Sequence, residues 1–278
     1  MRSRVKRHVK IAIFEQNFLS MKKYISICLL AVCVFMPQMV FGWGMIGHRV
    51  IGELAQKNLT KPAATRINQV LGHVDVAMVA NWGDFVRSDD NFKGREVWHY
   101  KDIAPGLSRE EFNKEAVTKN DGELIFRIFQ LIADLKKDPN NGENLKMLIH
   151  LIGDMHMPLH MGNPEDKGGN TQRLKWFGRD ISLHSLWDDA LIDYQKLSYT
   201  EYADYLAKKS ADSKLTFTRS MVLDWAWDTY QIAPKVYESV SETSNAYRYN
   251  FLYISLVESR LTLAGERLAA VLNYLYDK

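Results

Sequence analysis

One short stretch of this chain carries three side chains that can bind a metal ion: His150, Asp154 and His160. On a helix, a spacing of four residues returns to the same face, so His150 and Asp154 would lie side by side in one site. Pro158 ends or bends such a helix, which would let His160 turn toward a neighbouring position. Imidazole and carboxylate groups without a nearby cysteine suit zinc, so the stretch predicts a zinc site.

A second pair repeats this arrangement, because His184 and Asp188 are again four residues apart. A single pair of this kind is more often a solvated surface pair than a metal site. Asp84 and His99, in the motifs Asn-Trp-Gly-Asp and Trp-His-Tyr-Lys-Asp, add two further candidate ligands. It is the joint pattern, rather than any one pair, that predicts metal binding.

The N-terminal region has the composition of an export signal. A charged start, an apolar middle and a cleavage site follow one another at residues 21–23, 24–36 and 40–42. We therefore predict a signal peptide over residues 21–42 and one secreted or periplasmic domain over residues 43–278, with residues 1–20 a possible mis-annotated extension. No apolar stretch reaches the roughly 18 to 20 residues that a membrane-spanning helix requires.

Cleavage after Gly42 would make Trp43 the first residue of the mature protein. A free α-amine and the carbonyl of the same residue can chelate a metal ion, and His48 could supply a third ligand. Both cysteines, Cys28 and Cys33, precede the cleavage site. The mature chain would therefore have neither a disulfide nor a thiolate ligand, and its core and its metals must hold the fold.

The mature domain is predicted to be close to neutral. The whole chain has 36 basic and 33 acidic side chains, of which residues 1–42 hold seven and one, leaving 29 basic and 32 acidic. A formal charge of about −3 does not mark a polyanion-binding surface. If the substrate carries phosphate, bound cations would have to supply much of the attraction.

Helical periodicity dominates the mature chain and predicts a single domain, without repeats or linkers. The predicted helices are residues 50–59, 62–71, 74–86, 109–119, 123–137, 144–159, 186–194, 199–208, 218–241 and 245–276. The exception is residues 170–183, whose alternating pattern around Gly178 predicts a short β-hairpin. The predicted fold class is therefore mainly α.

Taken together, these residues resemble the zinc-dependent single-strand-type nucleases of the S-one/P-one family, which share the fold of bacterial phospholipase C. The resemblance covers essentially the whole mature chain, from Trp43-Gly-x-x-Gly-His48 to Arg267-Leu-Ala in the last predicted helix. Nine ligand positions match in type and order. The resemblance implies a single-domain helical bundle of the phospholipase C/P-one nuclease type with a short β-hairpin, and a processed tryptophan that itself binds zinc.

The resemblance also implies three Zn²⁺ ions. Their expected ligands are Asp84, His99, His150 and Asp154 for the first, His160, His184 and Asp188 for the second, and Trp43, His48 and the bridging Asp154 for the third. Asp154 is accordingly a candidate catalytic residue.

The chain departs from the family pattern next to these ligands. Met157 stands where the family has glutamine, Ser182 where asparagine is usual, and Asp189 where small or hydroxyl residues are common. These differences concern outer hydrogen bonds and substrate preference rather than metal binding. His156 lies outside the ligand set and is predicted to make a structural hydrogen bond.

The implied reaction is hydrolysis of phosphodiester bonds in single-stranded RNA and DNA to 5′-phosphorylated products, with 3′-nucleotidase activity. Two zinc ions roughly 3 to 4 Å apart would activate a water, and the third would stabilise the leaving oxygen. Asp84 could orient that water, while Arg87 either binds a phosphate oxygen or pairs with Asp84 or Asp89. Tyr100 and Asp102 match positions that stack on a base and bond its edge, which favours single strands.

Three other functions stay open at this point. They are a phospholipase C of the same architecture, a phosphatase restricted to mononucleotides, and a non-catalytic zinc-binding surface protein. Asp188, where phospholipases commonly have glutamate, and the short spacing from Trp43 to His48 argue against the first. The expected partner is a single-stranded nucleic acid or nucleotide substrate, and the protein is expected to be a monomer without an obligate protein partner.

Overall fold

The structure is a computed structural model that describes residues 43–209 and 215–277. The predicted extension and signal peptide, residues 1–20 and 21–42, lie outside the described residues. The described part is mainly helical, with a two-stranded antiparallel hairpin, which confirms the fold class predicted from the sequence. Within it, no helix combines the length and the apolar character needed to cross a membrane.

The helices and strands follow one another along a single domain. The α-helices are α1 (Met45–Lys57), α2 (Lys61–Val70), α3 (Val76–Val79), α4 (Trp82–Phe85), α5 (Arg109–Glu115), α6 (Leu124–Lys137), α7 (Gly142–Asp154), α8 (Leu183–Ser185), α9 (Leu191–Tyr194), α10 (Tyr199–Ala207), α11 (Met221–Glu238) and α12 (Ala246–Tyr276). A π-helical turn, Leu186–Ala190, joins α8 to α9. The strands are β1 (Arg173–Trp176) and β2 (Arg179–Ser182).

The apolar core lies where the long helix α12 packs against α1, α2 and α7. Leu261, Leu268 and Leu272 of α12 are fully buried there. The approach to α1 is close, because a Cβ added to Gly265 would lie 2.5 Å from Leu54 Cβ. Burial of this kind stabilises a helix by roughly 1.5 to 3 kcal/mol for each fully buried leucine.

Helix α1 begins at Met45, five residues before the predicted start. The glycines of this segment, which disfavour a helix in isolation, are required by packing. A Cβ on Gly52 would lie 2.7 Å from Ala77 Cα, so a larger residue would hold α3 away from α1. The extended N-terminus of α1 places His48 on its buried face.

The helix predicted over residues 74–86 is two short helices, α3 and α4, separated at Ala80 and Asn81. The Ala80 carbonyl instead accepts a hydrogen bond from His150 Nδ1 at 2.8 Å. A tertiary contact therefore interrupts a segment whose local pattern is helical. The interruption lets α4 carry Asp84 toward α7.

The helix predicted over residues 144–159 also ends early, because α7 stops at Asp154. Pro158 has no N–H to continue the helix and its ring would clash with the Asp154 carbonyl. Two turns follow instead, and a 3₁₀-helix covers Pro158–Met161. This change of direction returns His160 to the same region as Asp154.

The predicted hairpin is confirmed, with its strands paired from Arg173 opposite Ser182 to Trp176 opposite Arg179. Its two turn residues, Phe177 and Gly178, both have positive φ values of 46° and 79°. That combination is the type I′ turn favoured in two-residue hairpins. The hairpin leads directly into α8, whose N-cap is the Ser182 side chain.

Candidate metal centre

The nine predicted ligands come from separate elements that meet at one buried region. Asp154 is fully buried, and the other candidate side chains are at most about 5 % exposed. The elements and their residues are α1 with His48, α4 with Asp84, the end of a 3₁₀-helix with His99, α7 with His150 and Asp154, the next 3₁₀-helix with His160, α8 with His184, the π-turn with Asp188, and the segment before α1 with Trp43.

One group consists of Asp84, His99 and His150, whose ligand atoms lie within 4.8 Å of one another. Asp84 Oδ1 is 3.8 Å from both His99 Nδ1 and His150 Nε2, and those two nitrogens are 3.0 Å apart. The other nitrogen of His150, Nδ1, donates to the Ala80 carbonyl. That bond leaves the Nε2 lone pair of neutral His150 directed at the group, as in metal-binding histidines.

Asp154 lies at the middle of the centre and uses its two oxygens on different sides. Oδ2 is 3.0 Å from His99 Nδ1 and 3.2 Å from His150 Nε2. Oδ1 is 3.3 Å from His48 Nε2 and 3.7 Å from His160 Nδ1. One carboxylate therefore faces four imidazoles, which is an arrangement suited to a carboxylate that bridges cations.

The other predicted group, His160, His184 and Asp188, is also assembled within 4.8 Å. His184 Nε2 lies 3.0 Å from Asp188 Oδ2, and the rings of His160 and His184 are stacked with centroids 5.2 Å apart. The Gly168 carbonyl accepts from His184 Nδ1 at 2.7 Å. As at His150, this backbone bond directs the second imidazole nitrogen toward the group.

The third group contains His48, Asp154 and also His150, which the resemblance assigned to the first zinc alone. The His48 and His150 rings stack with centroids 4.0 Å apart, so His150 belongs to both the first group and the third. Trp43 is fully buried, and the amide after it, Gly44 N, donates to the Asp188 carbonyl at 3.0 Å. This bond holds the backbone at Trp43 beside the centre.

The donor set of the centre fits bound cations. Within the part of the chain that the structure describes, buried His48 Nε2, Asp154 Oδ1 and Asp188 Oδ1 make no hydrogen bond. A buried polar atom without a partner costs about 1 to 3 kcal/mol, and more when it is charged. Cations bound between these nitrogen and oxygen atoms would satisfy all three, and imidazole with carboxylate is a set that zinc binds.

The electrostatics of the centre also favour added positive charge. Burial lowers the pKa of His150, but the carboxylates of Asp154 and Asp84 more than offset this and raise it to about 9. Burial alone would raise the pKa of Asp154, yet His150 and its other imidazole neighbours hold it well below its usual range. Burial raises the pKa of Asp188 well above its usual range, against the opposing effect of His184.

The predicted substrate contacts border the centre. Arg87 Nη1 lies 3.2 Å from Asp84 Oδ1, so the ion pair that the sequence left open is present. Tyr100 is half-buried, and Asp102 is mostly buried beside it. Burial raises the pKa of Asp102 to about 8, with Asp166 and Asp121 adding to the increase and His184 opposing it.

Residues 101–103 form a strap with residues 160–162. Lys101 N donates to the His160 carbonyl at 2.8 Å, and Ile103 N donates to the Gly162 carbonyl at 2.9 Å. The strap connects the candidate base-binding residues to the segment that carries His160. These two bonds hold the segments together, so a displacement of one segment would displace the other.

Several contributors to the centre were missed in the sequence. The Ala80 and Gly168 carbonyls orient two histidines, and backbone acceptors have no side-chain signature. Gly83 precedes Asp84, and a Cβ there would lie 2.4 Å from His150 Cδ2. Asp189, which the sequence marked only as a departure from the family pattern, packs against Gly44. A Cβ added to Gly44 would lie 1.4 Å from Asp189 Oδ1.

His156 makes the structural hydrogen bonds that the sequence predicted. Nδ1 donates to the Ile152 carbonyl at 2.8 Å, and Nε2 accepts from Arg267 Nη1 at 3.1 Å. Arg267 also donates to Asp228 Oδ2 at 2.6 Å. Burial, followed by the charges of Arg260 and Arg267, lowers the pKa of His156 well below its usual range. His156 is thus a neutral anchor for the turn after α7.

Comparisons with known proteins agree over nearly the whole described chain. The family described as S1/P1 Nuclease matches residues 43–277. "Endonuclease 4" of Arabidopsis thaliana is 26 % identical over 273 residues, covering 84 % of this chain and 89 % of that protein. "Nuclease S1" of Aspergillus oryzae is 26 % identical over 279 residues, covering 88 % and 96 %. "Nuclease P1" of Penicillium citrinum is 28 % identical over 154 residues, covering 52 % and 57 %.

Proposed function

The chain belongs to the S1/P1 nuclease family, and on this premise we propose that it is a zinc-dependent endonuclease for single-stranded RNA and DNA. Its products would carry 5′-phosphates, and it would also remove 3′-phosphates from nucleotides. The observation that supports this most directly is the position of Asp154, whose two oxygens face four buried imidazoles.

The nine residues Trp43, His48, Asp84, His99, His150, Asp154, His160, His184 and Asp188 would hold three Zn²⁺ ions. Bound zinc supplies Lewis acidity, which lowers the pKa of water and offsets phosphate charge. The protein holds the ligands rigidly, since His150 and His184 are each fixed by a backbone carbonyl. The orphaned atoms of His48, Asp154 and Asp188 support a centre built for cations rather than for hydrogen bonds.

Asp84 and Arg87 would act on the reacting groups. The Asp84 carboxylate, held at the edge of the centre, can accept a hydrogen bond from the attacking water and orient it toward phosphorus. The Arg87 guanidinium, already 3.2 Å from Asp84, can bind a non-bridging phosphate oxygen with its remaining N–H donors. Charge that develops on that oxygen in the transition state would strengthen this contact.

Tyr100 and Asp102 would bind the base next to the scissile phosphate. The Tyr100 ring can stack on any base, because every base has a π-face, and stacking requires the base to leave the duplex. The raised pKa of Asp102, about 8, keeps most of this carboxyl protonated at neutral pH in the metal-free chain. A protonated carboxyl both donates and accepts, which suits the mixed hydrogen-bonding edge of a base.

The processing of the N-terminus is part of the proposal. A signal peptide over residues 21–42 would direct the chain to the periplasm or the exterior, and its removal would free the Trp43 amine for metal binding. The bond from Gly44 N to the Asp188 carbonyl would keep that amine close to the centre. The mature protein would then be a monomer of residues 43–278.

One substrate panel tests the activity. The purified mature protein should cleave a single-stranded oligonucleotide faster than the matched duplex, release phosphate from a 3′-mononucleotide, and leave phosphatidylcholine intact. A chelator should stop both nucleic-acid reactions, and added zinc should restore them. Hydrolysis of phosphatidylcholine alone would instead indicate a phospholipase C. Turnover of mononucleotides alone would narrow the proposed activity to a phosphatase for mononucleotides. The absence of any zinc-dependent turnover would favour a non-catalytic protein.

Metal analysis and N-terminal sequencing test the centre independently of activity. We expect three zinc ions for each chain and a first residue at Trp43. A mature chain that begins elsewhere, or that binds a single ion, would contradict the proposed ligand set.

A further inference from the structure

A cavity of about 300 Å³ is lined in part by residues of the strap, Ile103, Met161 and Gly162. Its volume falls at the lower end of the range for small-molecule sites, roughly 300 to 1,000 Å³. None of the nine proposed zinc ligands lines it. Its other lining residues include Asp166, Tyr230, Ala233, Pro234 and Tyr237.

The walls of the cavity are mainly apolar and include two tyrosine rings. Tyr230 and Tyr237 come from α11 and are tied to the loops opposite them. Tyr230 OH donates to the Ala104 carbonyl at 2.8 Å, and Asn163 N donates to Tyr237 OH at 2.9 Å. These bonds fix the positions of the two rings, so this part of the cavity lining is preformed.

Two hydrogen-bond acceptors remain at these walls. Asp166 is 7 % exposed and uses Oδ1 to accept from Gly169 N and Tyr237 OH, at 2.7 and 2.9 Å. Among the described residues, nothing donates to its Oδ2. The second acceptor is the Tyr230 carbonyl, because Pro234, four residues later in α11, has no N–H to donate to it.

Several lining residues of the cavity are next in sequence to residues of the metal centre or its border. Met161 and Gly162 follow the proposed ligand His160 directly, and Ile103 follows Asp102. Asp166 lines the cavity and is also one of the charges that act on Asp102. A strand bound across the centre could thus reach the cavity with the nucleotide next to the one at Tyr100.

We propose that this cavity is a second base-binding subsite, which takes a nucleobase with its ring between the apolar walls and its N–H groups on Asp166 and the Tyr230 carbonyl. The inference rests on the proposed nuclease function. A nucleobase combines a planar apolar face with N–H donors at its edge, and both features match this lining. The occupied subsite makes the preferred substrate at least a dinucleotide.

Filling the cavity tests the proposal. Ala233 is buried in the lining, so Ala233→Trp should displace the base, and Gln231→Trp, exposed on the same helix, is the matched control. We expect Ala233→Trp to raise KM for an oligonucleotide about tenfold, in line with the loss of one stacked base. The kcat/KM values for a 3′-mononucleotide and for bis(p-nitrophenyl) phosphate should stay within about twofold.

A second variant tests the acceptor. Asp166→Asn keeps an oxygen for Gly169 N and Tyr237 OH but presents an NH₂ group where Oδ2 stood. That group would face the base's own donors, so the oligonucleotide KM should again rise, while turnover of bis(p-nitrophenyl) phosphate, which has no base, should be unaffected. If Ala233→Trp and Asp166→Asn, both folded and loaded with zinc, leave the oligonucleotide KM unchanged, the subsite does not exist.

Direct binding separates this inference from the proposed function. Adenosine, which has no phosphate, should bind two sites of the wild-type protein in titration calorimetry, and it should lose one of them in Tyr100→Ala and the other in Ala233→Trp. Adenosine binding that is lost only in Tyr100→Ala would overturn the subsite while leaving the nuclease proposal intact. Adenosine binding at the cavity without any nucleic-acid cleavage would retain the subsite and overturn the nuclease proposal.

Discussion

The metal centre and the packed interface of α1 with α12 are built in opposite ways. At the interface, regular helices bury the apolar side chains of Leu261, Leu268 and Leu272. At the centre, the ligands sit on short helices, turns and a π-helical segment, and buried His48, Asp154 and Asp188 each have an atom without a hydrogen bond. The interface stabilises the fold, whereas the centre opposes it until cations bind.

This difference explains why the centre can be so polar. A buried polar atom without a hydrogen bond costs about 1 to 3 kcal/mol. The fold tolerates such atoms on His48, Asp154 and Asp188 because its apolar interface is separate from them. Changes at the interface should therefore reduce stability, and changes at the centre should reduce metal binding and activity. Each prediction below pairs a residue of the centre or its border with a residue elsewhere.

The largest effect is expected for Asp154→Asn. The amide keeps the shape of the carboxylate but loses the charge that four imidazoles and the proposed cations face. We expect kcat/KM on a single-stranded oligonucleotide to fall by roughly 100- to 1,000-fold or more, with a lower zinc content. Its counterpart, Leu268→Ala, should lower the free energy of unfolding by about 2 to 5 kcal/mol while the folded protein keeps its zinc. Full activity of Asp154→Asn with three bound zinc ions would contradict the role proposed for Asp154.

Two glycine substitutions sharpen the comparison. In Gly83→Ala the new Cβ would lie 2.4 Å from His150 Cδ2, and in Gly265→Ala it would lie 2.5 Å from Leu54 Cβ. Overpacking of this kind costs about 1 to 3 kcal/mol. Because His150 must move only in the first, Gly83→Ala should weaken zinc binding in competition with a chelator. Gly265→Ala should lower the melting temperature without changing zinc affinity, and equal zinc affinity in both variants would contradict the distinction.

A smaller change is expected for Tyr100→Ala at the border of the centre. Loss of one base stack should raise KM for a single-stranded substrate about tenfold and change kcat little. Tyr205, 43 % exposed on α10, provides the matched surface control as Tyr205→Ala. Steady-state kinetics on the same oligonucleotide measures both, and an unchanged KM in Tyr100→Ala would exclude base stacking at this residue.

The smallest expected effect is the pH dependence conferred by Asp102. Its pKa is about 8 in the folded chain, against a usual value of 3.8, because of burial and the nearby Asp166 and Asp121. A raised carboxyl pKa contributes stability below pH 4 that is lost as the pH rises toward 8. Asp102→Asn cannot ionise, so its gain in stability over the wild type should grow between pH 5 and pH 6 by on the order of 1 kcal/mol.

Urea unfolding of the metal-free protein at the two pH values measures this change. Asp180→Asn is the control, because Asp180 is exposed and its pKa is lowered by Lys175 rather than raised. It should show no such gain, and a constant difference between Asp102→Asn and the wild type would contradict the assigned shift.

The sequence predicted local structure best where the local pattern and the packing agree. The hairpin turn at Phe177 and Gly178 is one case, and the pairs His150 with Asp154 and His184 with Asp188 are others, because a four-residue spacing spans about one helical turn. The prediction of one helix over residues 74–86 was wrong because the Ala80 carbonyl bonds to His150, 70 residues away. No local pattern contains that bond.

The sequence by itself determined the ligand types, their order and the family, since these depend on residue identity and short spacings. Only the tertiary structure decided that Asp154 stands between four imidazoles, that the Ala80 and Gly168 carbonyls orient two of the histidines, and that a cavity lies next to the strap. Those features depend on contacts between segments far apart in the chain, and such contacts follow from how the helices pack rather than from any periodicity within them.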